Sequence, residues 1–320
     1  MPLINTRYTA KGVFKNGHIN TIYSGYFRKT LEPNFIREKI ETNDNDFFHI
    51  DWIENKSNHC VILLHGLMGS TNSRYMRGMS NYLNKKGLNV CAVNNRNCSG
   101  VPNRNVKTFH AGFTDDLEQL LIHLEKTDTF KSVSIVSFSM GGSILLNYLT
   151  KCKTSKLIKG AVCISSPLVL DEGASLLAKP SNKIYMNYFK NKIKNATLTK
   201  KQQLKNEGVD IDAVLKCDNF FDIDSMYTAK VFGFKDVMDY YNSASTAHLL
   251  AKLNIPTLIL NAADDMMLGP SSYPISLAEK HNKLFFEMSI TGGHLGYKQK
   301  SGVYFDKRSF DFLNEKVDLN

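Results

Sequence analysis

Short apolar runs rich in β-branched residues recur along the chain, and each ends close to a Gly, Asn or Ser. Such runs predict buried strands at residues 60–64, 89–93, 133–136, 161–164, 257–260 and 284–290. Between them, helix-like spacing of apolar residues predicts helices at residues 75–85, 114–124, 142–149 and 309–313. Strands that alternate with helices build βαβ units, so the sequence predicts the α/β class with a mainly parallel, doubly wound sheet.

Two regions depart from this alternation. Residues 35–41 and 47–53 alternate more regularly between apolar and polar positions, which predicts an antiparallel edge of the sheet. Residues of about 168–247 contain helix-like segments but no clean strand. An insertion at this place predicts a helical cap over a site at the carboxyl ends of the strands. With no internal repeat or low-complexity linker, we expect a single domain over residues 1–320.

The net charge of +10 and the pI of about 9.1 fit a nucleic-acid partner, an anionic membrane, an acidic substrate or solubility alone. Neither zinc-finger spacing nor a basic stripe interleaved with aromatic residues occurs, so we expect no nucleic-acid partner. Within the cap, residues 173–206 contain no Asp or Glu but many lysines among apolar residues. Two interpretations stay open: a helix with a solvated lysine face, or a peripheral contact with an anionic membrane.

The cysteines and the N-terminal residues indicate in which cellular compartment the protein is expected. The six cysteines form no CxxC pair, and several lie inside apolar runs, which indicates reduced thiols. The first twenty residues have no continuous apolar stretch typical of a secretory signal. Since no run of about 18 apolar residues occurs either, we expect a cytoplasmic protein, with peripheral membrane association as the alternative.

The first chemical signal is the segment Ser-Phe-Ser-Met-Gly-Gly that begins at Ser137. It follows the apolar run VSIV and precedes the helix-like SILLNYL, so strand, sharp turn and helix would form a nucleophile elbow with Ser139 at its apex. The tight turn requires small residues two positions before and after the nucleophile. Gly141 meets this requirement, and Ser137 stands where glycine is usual. An ordinary strand-to-helix loop with serine caps is the competing interpretation.

The second signal is His65-Gly-Leu-Met-Gly-Ser, directly after the predicted strand CVILL. A glycine-rich turn at this place leaves backbone N–H groups free to bind developing negative charge. We therefore predict an oxyanion hole from the backbone N–H groups of Leu67 and Met140. A phosphate-binding loop is the competing interpretation, but neither GxxxxGK[ST] nor GxGxxG occurs here.

A serine nucleophile needs a base, and the base needs an orienting carboxylate. Asp264 and Asp265 close the predicted strand in PTLILNAADD, where the acid is expected. Of the nine histidines, His294 combines a position after the last predicted strand with a glycine-rich loop, so we predict it as the base. Chemistry alone does not separate the two aspartates: one orients His294, and the other faces solvent or caps a turn.

These residues resemble the YheT-like branch of the α/β-hydrolase superfamily, over residues of about 17–312. The resemblance rests on the segments that carry Ser139, Asp265 and His294. It also rests on HINT at His18, residues 46–52, NRNCSGVPNR at Asn95, HAGFTDD at His110, FGF at Phe232 and DYY at Asp239. It implies the α/β-hydrolase fold and places the nucleophile, acid and base on Ser139, Asp265 and His294. Two positions depart from the family pattern, since Ser137 replaces glycine and Met266 replaces a common proline.

The resemblance also implies an activity, namely cleavage of short- to medium-chain or lipid carboxylic esters through an acyl-enzyme. We expect a small-molecule or lipid ester as substrate, and neither a metal nor an organic cofactor. Two alternatives remain: an acyltransferase that uses the same triad, and a degraded homologue that binds a lipid or a partner. Arg96 and Arg104 in the NRNCSGVPNR segment either bind an acidic substrate group or lock a loop by hydrogen bonds.

Overall fold

The computed structural model describes residues 3–317 and 319 of the chain. Within this part, the main sheet has nine strands in the order β1-β9-β8-β7-β6-β4-β5-β3-β2. Six neighbouring pairs run parallel, while β2 and β3 form an antiparallel edge beside β5. The predicted α/β class with a mainly parallel sheet is therefore confirmed. The strands are β1 Leu3–Asn5, β2 Ile36–Glu41, β3 Phe47–Ile53, β4 His59–Leu64, β5 Asn89–Asn94, β6 Ser132–Phe138, β7 Ile158–Ile164, β8 Thr257–Ala262 and β9 Leu284–Ser289.

The strand predictions were right in position, with small differences at the ends. β9 stops one residue early, because Ile290 turns outward and is 83% exposed. Sequence analysis missed β1, whose three residues pair in parallel with β9 at the far edge of the sheet. A three-residue strand is too short to show an alternating pattern, and pairing with β9 decides its conformation.

Helices cover both faces of the sheet, which explains why its central strands are apolar throughout. Every residue of β4, β5 and β8 is buried. On one face pack α2 Arg74–Lys85 and α13 Tyr304–Lys316. On the other pack α3 Asp115–Thr127, α4 Met140–Lys151 and α12 Ile275–Lys280.

A series of mostly short helices connects β7 to β8 in the region where sequence analysis placed the cap, and no strand interrupts it among these residues. Several of its side chains line the cleft described below. No helix in the described part of the chain is long and apolar enough to cross a membrane. The helices are α5 Leu170–Leu177, α6 Lys183–Thr199, α7 Lys201–Asn206, α8 Ile211–Lys216, α9 Phe220–Ile223, α10 Ala229–Phe232 and α11 Val237–Ala244.

The N-terminal segment contains a 3-10 helix, Gly12–Lys15, and the helix α1 Gly17–Ile22, neither of which sequence analysis predicted. Asn16 caps α1 by accepting a hydrogen bond from the N–H of Ile19. The chain then continues through a π-helical turn, Tyr23–Phe27. A small antiparallel pair, β10 Lys298–Gln299 and β11 Gly302–Val303, precedes α13.

Candidate active site

Ser139 lies in the sharp turn between β6 and α4, with φ 52° and ψ −125°. This backbone conformation is strained for a residue with a side chain, and it raises the hydroxyl above the carboxyl edge of the sheet. Strand and helix approach so closely that a Cβ on Gly141 would lie 2.6 Å from the carbonyl oxygens of Leu64 and His65. The turn therefore requires glycine at position 141.

Ser137 occupies the position before the turn where glycine is usual. Its side chain is fully buried, and its hydroxyl donates a hydrogen bond to the carbonyl oxygen of Val162 at 3.0 Å. The neighbouring strand β7 thus satisfies the extra polar group, and the turn at Ser139 keeps its elbow geometry. The departure from the family pattern leaves the local structure intact.

The three residues predicted as a triad lie within hydrogen-bond distance of one another. The Oγ of Ser139 is 2.9 Å from Nε2 of His294. On the other side of the imidazole, Nδ1 is 2.9 Å from Oδ2 and 3.2 Å from Oδ1 of Asp265. Asp265 Oδ1 also accepts the N–H of Met267 at 2.9 Å, which holds the carboxylate in place. The chain thus brings together side chains from the loops after β6, β8 and β9.

The structure distinguishes the two aspartates, which their chemistry alone does not separate. Asp264 points away from the imidazole, and its Oδ1 accepts the N–H of Gly293 at 2.8 Å. Burial raises the pKa of Asp264, while that hydrogen bond opposes the change. Asp264 therefore fixes the turn that carries His294, and Gly293 supplies the positive φ of 59° that this turn requires.

The loop after β4 carries Leu67, and α4 begins with Met140. Leu67 lies in the loop between β4 and α2, and Met140 is the first residue of α4, where a backbone N–H has no acceptor within the helix. Gly66 brings the loop against the elbow, because a Cβ on it would lie only 2.9 Å from Cβ of Ser139. The predicted oxyanion donors are thus on the two segments that border the Ser139 hydroxyl.

His65, adjacent to this loop, proves to be a structural residue that sequence analysis did not assign. Its Nδ1 donates to the carbonyl oxygen of Gly66 at 2.7 Å, and its Nε2 accepts the N–H of Asn95 at 3.1 Å. Burial lowers the pKa of His65 to about 4, so the ring is neutral at pH 7. Tyr75 adds a further contact, since its hydroxyl accepts the N–H of Gly66 at 3.0 Å. These contacts hold the loop from both sides.

The N-terminal segment holds the loop that carries His294, a role that the HINT block alone did not reveal. The N–H of His294 donates to Oγ1 of Thr21 at 2.8 Å, and that hydroxyl donates to the carbonyl oxygen of Gly17 at 2.7 Å. Ser24 donates to the carbonyl oxygen of Gly296 at 2.9 Å. Because these residues are distant in sequence, no local pattern reports the contacts.

Ser139 and His294 lie at the wall of a cleft whose empty volume, including its solvent-open mouth, is about 1150 Å³. Its lining is mainly apolar and comes from the elbow, the loop after β4 and the helices between β7 and β8. One carboxyl in this lining is Asp224, which accepts hydrogen bonds from Thr228 and Tyr241. Burial raises the pKa of Asp224 to about 6. Other lining residues include Leu67, Met68, Phe109, Met140, Leu170, Leu177, Phe189, Ile193, Phe220, Ile223, Tyr240 and Met267.

Arg96 and Arg104 both lock loops. Arg96 is buried and ion-paired, with nitrogen–oxygen distances of 2.8 Å to Asp116 and 2.6 Å to Asp44. Arg104 pairs with Glu41 near the surface at 2.6 Å. Their guanidinium groups are occupied by carboxylates of the chain itself, so the loop-locking interpretation is the one these contacts support.

All six cysteines carry free thiols, with Cys60, Cys91, Cys163 and Cys217 buried. Across residues 3–317 and 319, no group of three or more His, Cys, Asp or Glu side chains is arranged to hold a metal ion.

Comparison with known families now identifies the fold and class. The family described as Serine aminopeptidase, S33 matches residues 55–282, which is well over half of the chain and includes Ser139 and Asp265. The chain belongs to this family. Within it, the predicted resemblance to the YheT-like branch of the α/β-hydrolases is confirmed. The YheT protein of Escherichia coli (strain K12) is 28% identical, covering 89% of this chain and 85% of its own length.

Two human relatives are named for an enzymatic activity. The phospholipase ABHD3 of Homo sapiens is 25% identical, over 99% of this chain and 81% of its own length. The monoacylglycerol lipase ABHD2 of Homo sapiens is 24% identical, over 95% of this chain and 77% of its own length. Together with the family membership, these relatives confirm the predicted enzyme class: the chain is a carboxylic-ester hydrolase.

The solved structures that resemble the chain support the fold. The esterase Pf2001 of Pyrococcus furiosus superimposes with a TM-score of 0.59 at 19% identity, over 91% of this chain and 99% of that one. At this identity the likeness concerns the fold alone. The predicted α/β-hydrolase fold is confirmed.

Proposed function

We propose that the chain hydrolyses carboxylic esters with Ser139 as nucleophile, His294 as general base and Asp265 as the orienting acid. The observation that carries this proposal is the continuous contact from Ser139 Oγ through both imidazole nitrogens to Asp265, at 2.9 Å on each side. A serine hydroxyl is a weak nucleophile until a base accepts its proton, and the base works only in the right tautomer and orientation. The contact with Asp265 places the proton on Nδ1 and leaves Nε2 free to accept.

In the first half of the reaction, Nε2 of His294 takes the proton as Ser139 Oγ attacks the ester carbonyl carbon. The negative charge that develops on the carbonyl oxygen is bound by the N–H groups of Leu67 and Met140. Each such donor contributes about 3 kcal/mol of transition-state stabilisation. When the tetrahedral intermediate collapses, the alcohol leaves with the proton from His294, and the acyl group stays on Ser139.

In the second half, a water molecule attacks the acyl-enzyme while His294 accepts one of its protons. The carboxylic acid leaves, and the proton returns to Ser139 Oγ. Asp265 accepts the Nδ1 hydrogen bond throughout and stabilises the imidazolium form of His294. Its hydrogen bond from Met267 keeps it aligned in both halves.

The proposed substrate is a lipid ester or another ester with a short- to medium-chain acyl group. The apolar lining of the cleft supports this choice, because burial of each CH₂ group contributes about 0.8 kcal/mol. The names of the human relatives, a phospholipase and a monoacylglycerol lipase, point in the same direction. The paired state of Arg96 speaks against recognition of an acidic substrate group at that residue.

Labelling with a fluorophosphonate probe tests the proposal, because only an activated serine reacts. We expect wild-type protein to label and Ser139→Ala to lose the label while it keeps its thermal unfolding midpoint. Ser137→Ala is the matched control, since it removes the other serine of the same turn, and we expect it to retain the label. A Ser139→Ala protein that still labels, or folded wild-type protein that does not, would contradict the proposed nucleophile.

A panel of p-nitrophenyl esters of increasing acyl length then tests the substrate class. We expect turnover to rise with chain length until the acyl group fills the apolar cleft. Adding an acceptor alcohol distinguishes the transferase alternative, since a transferase would form a new ester in preference to the free acid.

A further inference from the structure

Four large apolar side chains are exposed on two neighbouring parts of the chain, the N-terminal segment and α6. Tyr26 is 57% exposed, Phe27 64%, Ile184 60% and Tyr188 40%. The rings of Tyr26 and Tyr188 are 6.2 Å apart between centroids, and Tyr26, Ile184 and Tyr188 border one shallow groove. Ile184 and Tyr188 lie one turn apart on the same face of α6. We call these four residues the apolar patch.

The two segments that meet in this patch share an unusual charge pattern. Residues 1–31 contain no Asp or Glu, and neither do residues 173–206. Exposed lysines stand beside the patch on both segments: Lys29 is two residues from Phe27, and Nζ of Lys192 lies 5.9 Å from the Tyr188 ring centroid. The acidic neighbour Asp218 is paired with Lys190. The fold thus joins two acid-free segments into one surface that is both apolar and basic.

This surface lies next to the cleft. The opposite side of α6 lines the cleft through Phe189, Ile193 and Thr197. The N-terminal segment reaches the catalytic side through Thr21, which binds the N–H of His294. Both segments therefore have one side on the exposed surface and another on the site.

We propose that the apolar patch and its lysines dock the chain on an anionic phospholipid surface. Aromatic and aliphatic side chains insert at the level of the headgroups, and lysines around them bind the anionic lipids. The acidic side chains beside this surface, Glu32 and Asp218, are each paired with a basic side chain of the chain itself. The unpaired lysines therefore give the surface a net positive charge, which favours an anionic membrane as its partner. Membrane docking is a property beyond the proposed function. It rests on that function in one respect, because the docked cleft would face a lipid ester.

Vesicle sedimentation tests the docking directly. We expect wild-type protein to bind vesicles of phosphatidylcholine with phosphatidylserine far better than vesicles of phosphatidylcholine alone, and to be released as the salt concentration rises. Each basic residue near an anionic surface strengthens binding about fivefold. The double variant Lys29→Glu/Lys192→Glu should therefore bind the anionic vesicles at least about tenfold more weakly. Phe27→Ser/Ile184→Ser should also lose binding, because it removes the inserting side chains.

Matched controls change the same residue types elsewhere. Lys126→Glu/Lys159→Glu alters exposed lysines at the amino edge of the sheet, and Ile36→Ser/Val101→Ser removes exposed apolar side chains outside the patch. Both should bind the anionic vesicles like wild type. Wild-type protein that binds neither vesicle type, or patch variants that bind as well as their controls, would overturn the docking proposal. A wild type that binds no vesicle but forms a stable complex with another protein through the patch would overturn it as well.

Failure of docking and failure of the proposed function are separable. All variants are first assayed on a water-soluble ester, where the patch variants should match wild type and so demonstrate that they fold. Vesicle binding is also measured with Ser139→Ala, which should bind like wild type. Folded wild-type protein that turns over no soluble ester would contradict the proposed function. The vesicle-binding result would still decide the docking proposal by itself.

Discussion

The backbone N–H of His294 donates a hydrogen bond to Oγ1 of Thr21 at 2.8 Å, although 273 positions separate the two residues. The same hydroxyl donates to the carbonyl oxygen of Gly17, so Thr21 ties the histidine loop to α1. α1 therefore takes part in placing the proposed base. Thr21 acts as a positioning residue, since it contacts the backbone of His294 and not the reacting atoms.

Replacing Thr21 by Val keeps the shape of the side chain but removes the hydroxyl. We expect kcat to fall about tenfold with little change in KM, because a small displacement of a catalytic group lowers the rate of the chemical step. Steady-state kinetics on a soluble ester measures the change. Thr21→Ser restores the hydroxyl and should recover most of the activity. Equal losses in the Val and Ser variants would instead indicate a packing role for the methyl group.

Gly66→Ala tests the close approach of the predicted oxyanion loop to the elbow. The new Cβ would lie 2.9 Å from Cβ of Ser139, so the loop and its N–H groups must shift. We expect kcat/KM to fall at least about tenfold, since oxyanion donors act only at the correct distance. Gly25→Ala is the control, because no atom lies within 4 Å of its added Cβ. Normal activity in Gly66→Ala would show that the loop can move without harm.

Arg96 and Arg104 are expected to differ strongly in their effect on stability. Arg96→Met leaves the buried carboxylates of Asp46 and Asp116 without their cation, which should lower the free energy of unfolding by about 3–5 kcal/mol. Arg104→Met breaks an exposed pair with Glu41 and should leave the free energy of unfolding nearly unchanged, because solvent screens such a pair. Urea unfolding followed by fluorescence measures both. Similar effects of the two substitutions would contradict the loop-locking assignment of Arg96.

The half-buried carboxyl of Asp224, which lines the cleft, makes stability depend on pH. Burial raises its pKa from 3.8 to about 6 in the folded state, so the folded form holds its proton at pH values where the unfolded chain has lost it. This contribution to stability is fully present below about pH 4, declines between pH 4 and 6, and is lost above about pH 6. It amounts to about 3 kcal/mol.

Asp224→Asn removes the titrating group, so we expect its free energy of unfolding to decline less than that of wild type between pH 4 and 7. Urea titrations at several pH values measure the difference. Asp218→Asn is the control, because the Asp218 side chain is 88% exposed and should leave the wild-type profile nearly unchanged. A profile for Asp224→Asn that parallels wild type would show that Asp224 is already charged at low pH.

Local patterns in the sequence determined much of the fold. Continuous apolar runs predicted β4 to β9 because strands of a parallel sheet that is covered on both faces must be apolar on both sides. The strand, turn and helix around Ser139 were likewise predicted from the sequence, because the elbow depends on residues within a few positions of one another. The glycine-rich loops at Leu67 and His294 carried similarly local signals.

Contacts between distant segments were decided by the tertiary structure. Two adjacent aspartates have the same chemistry, so beyond the family resemblance only their directions after β8 distinguish Asp265, which contacts the imidazole, from Asp264, which binds the turn at Gly293. The sequence likewise did not predict the hydrogen bond from His294 to Thr21 or the contact between the rings of Tyr26 and Tyr188. A sequence pattern reflects interactions between residues that are close along the chain. These contacts depend instead on how distant segments pack, and no short stretch of sequence contains that information.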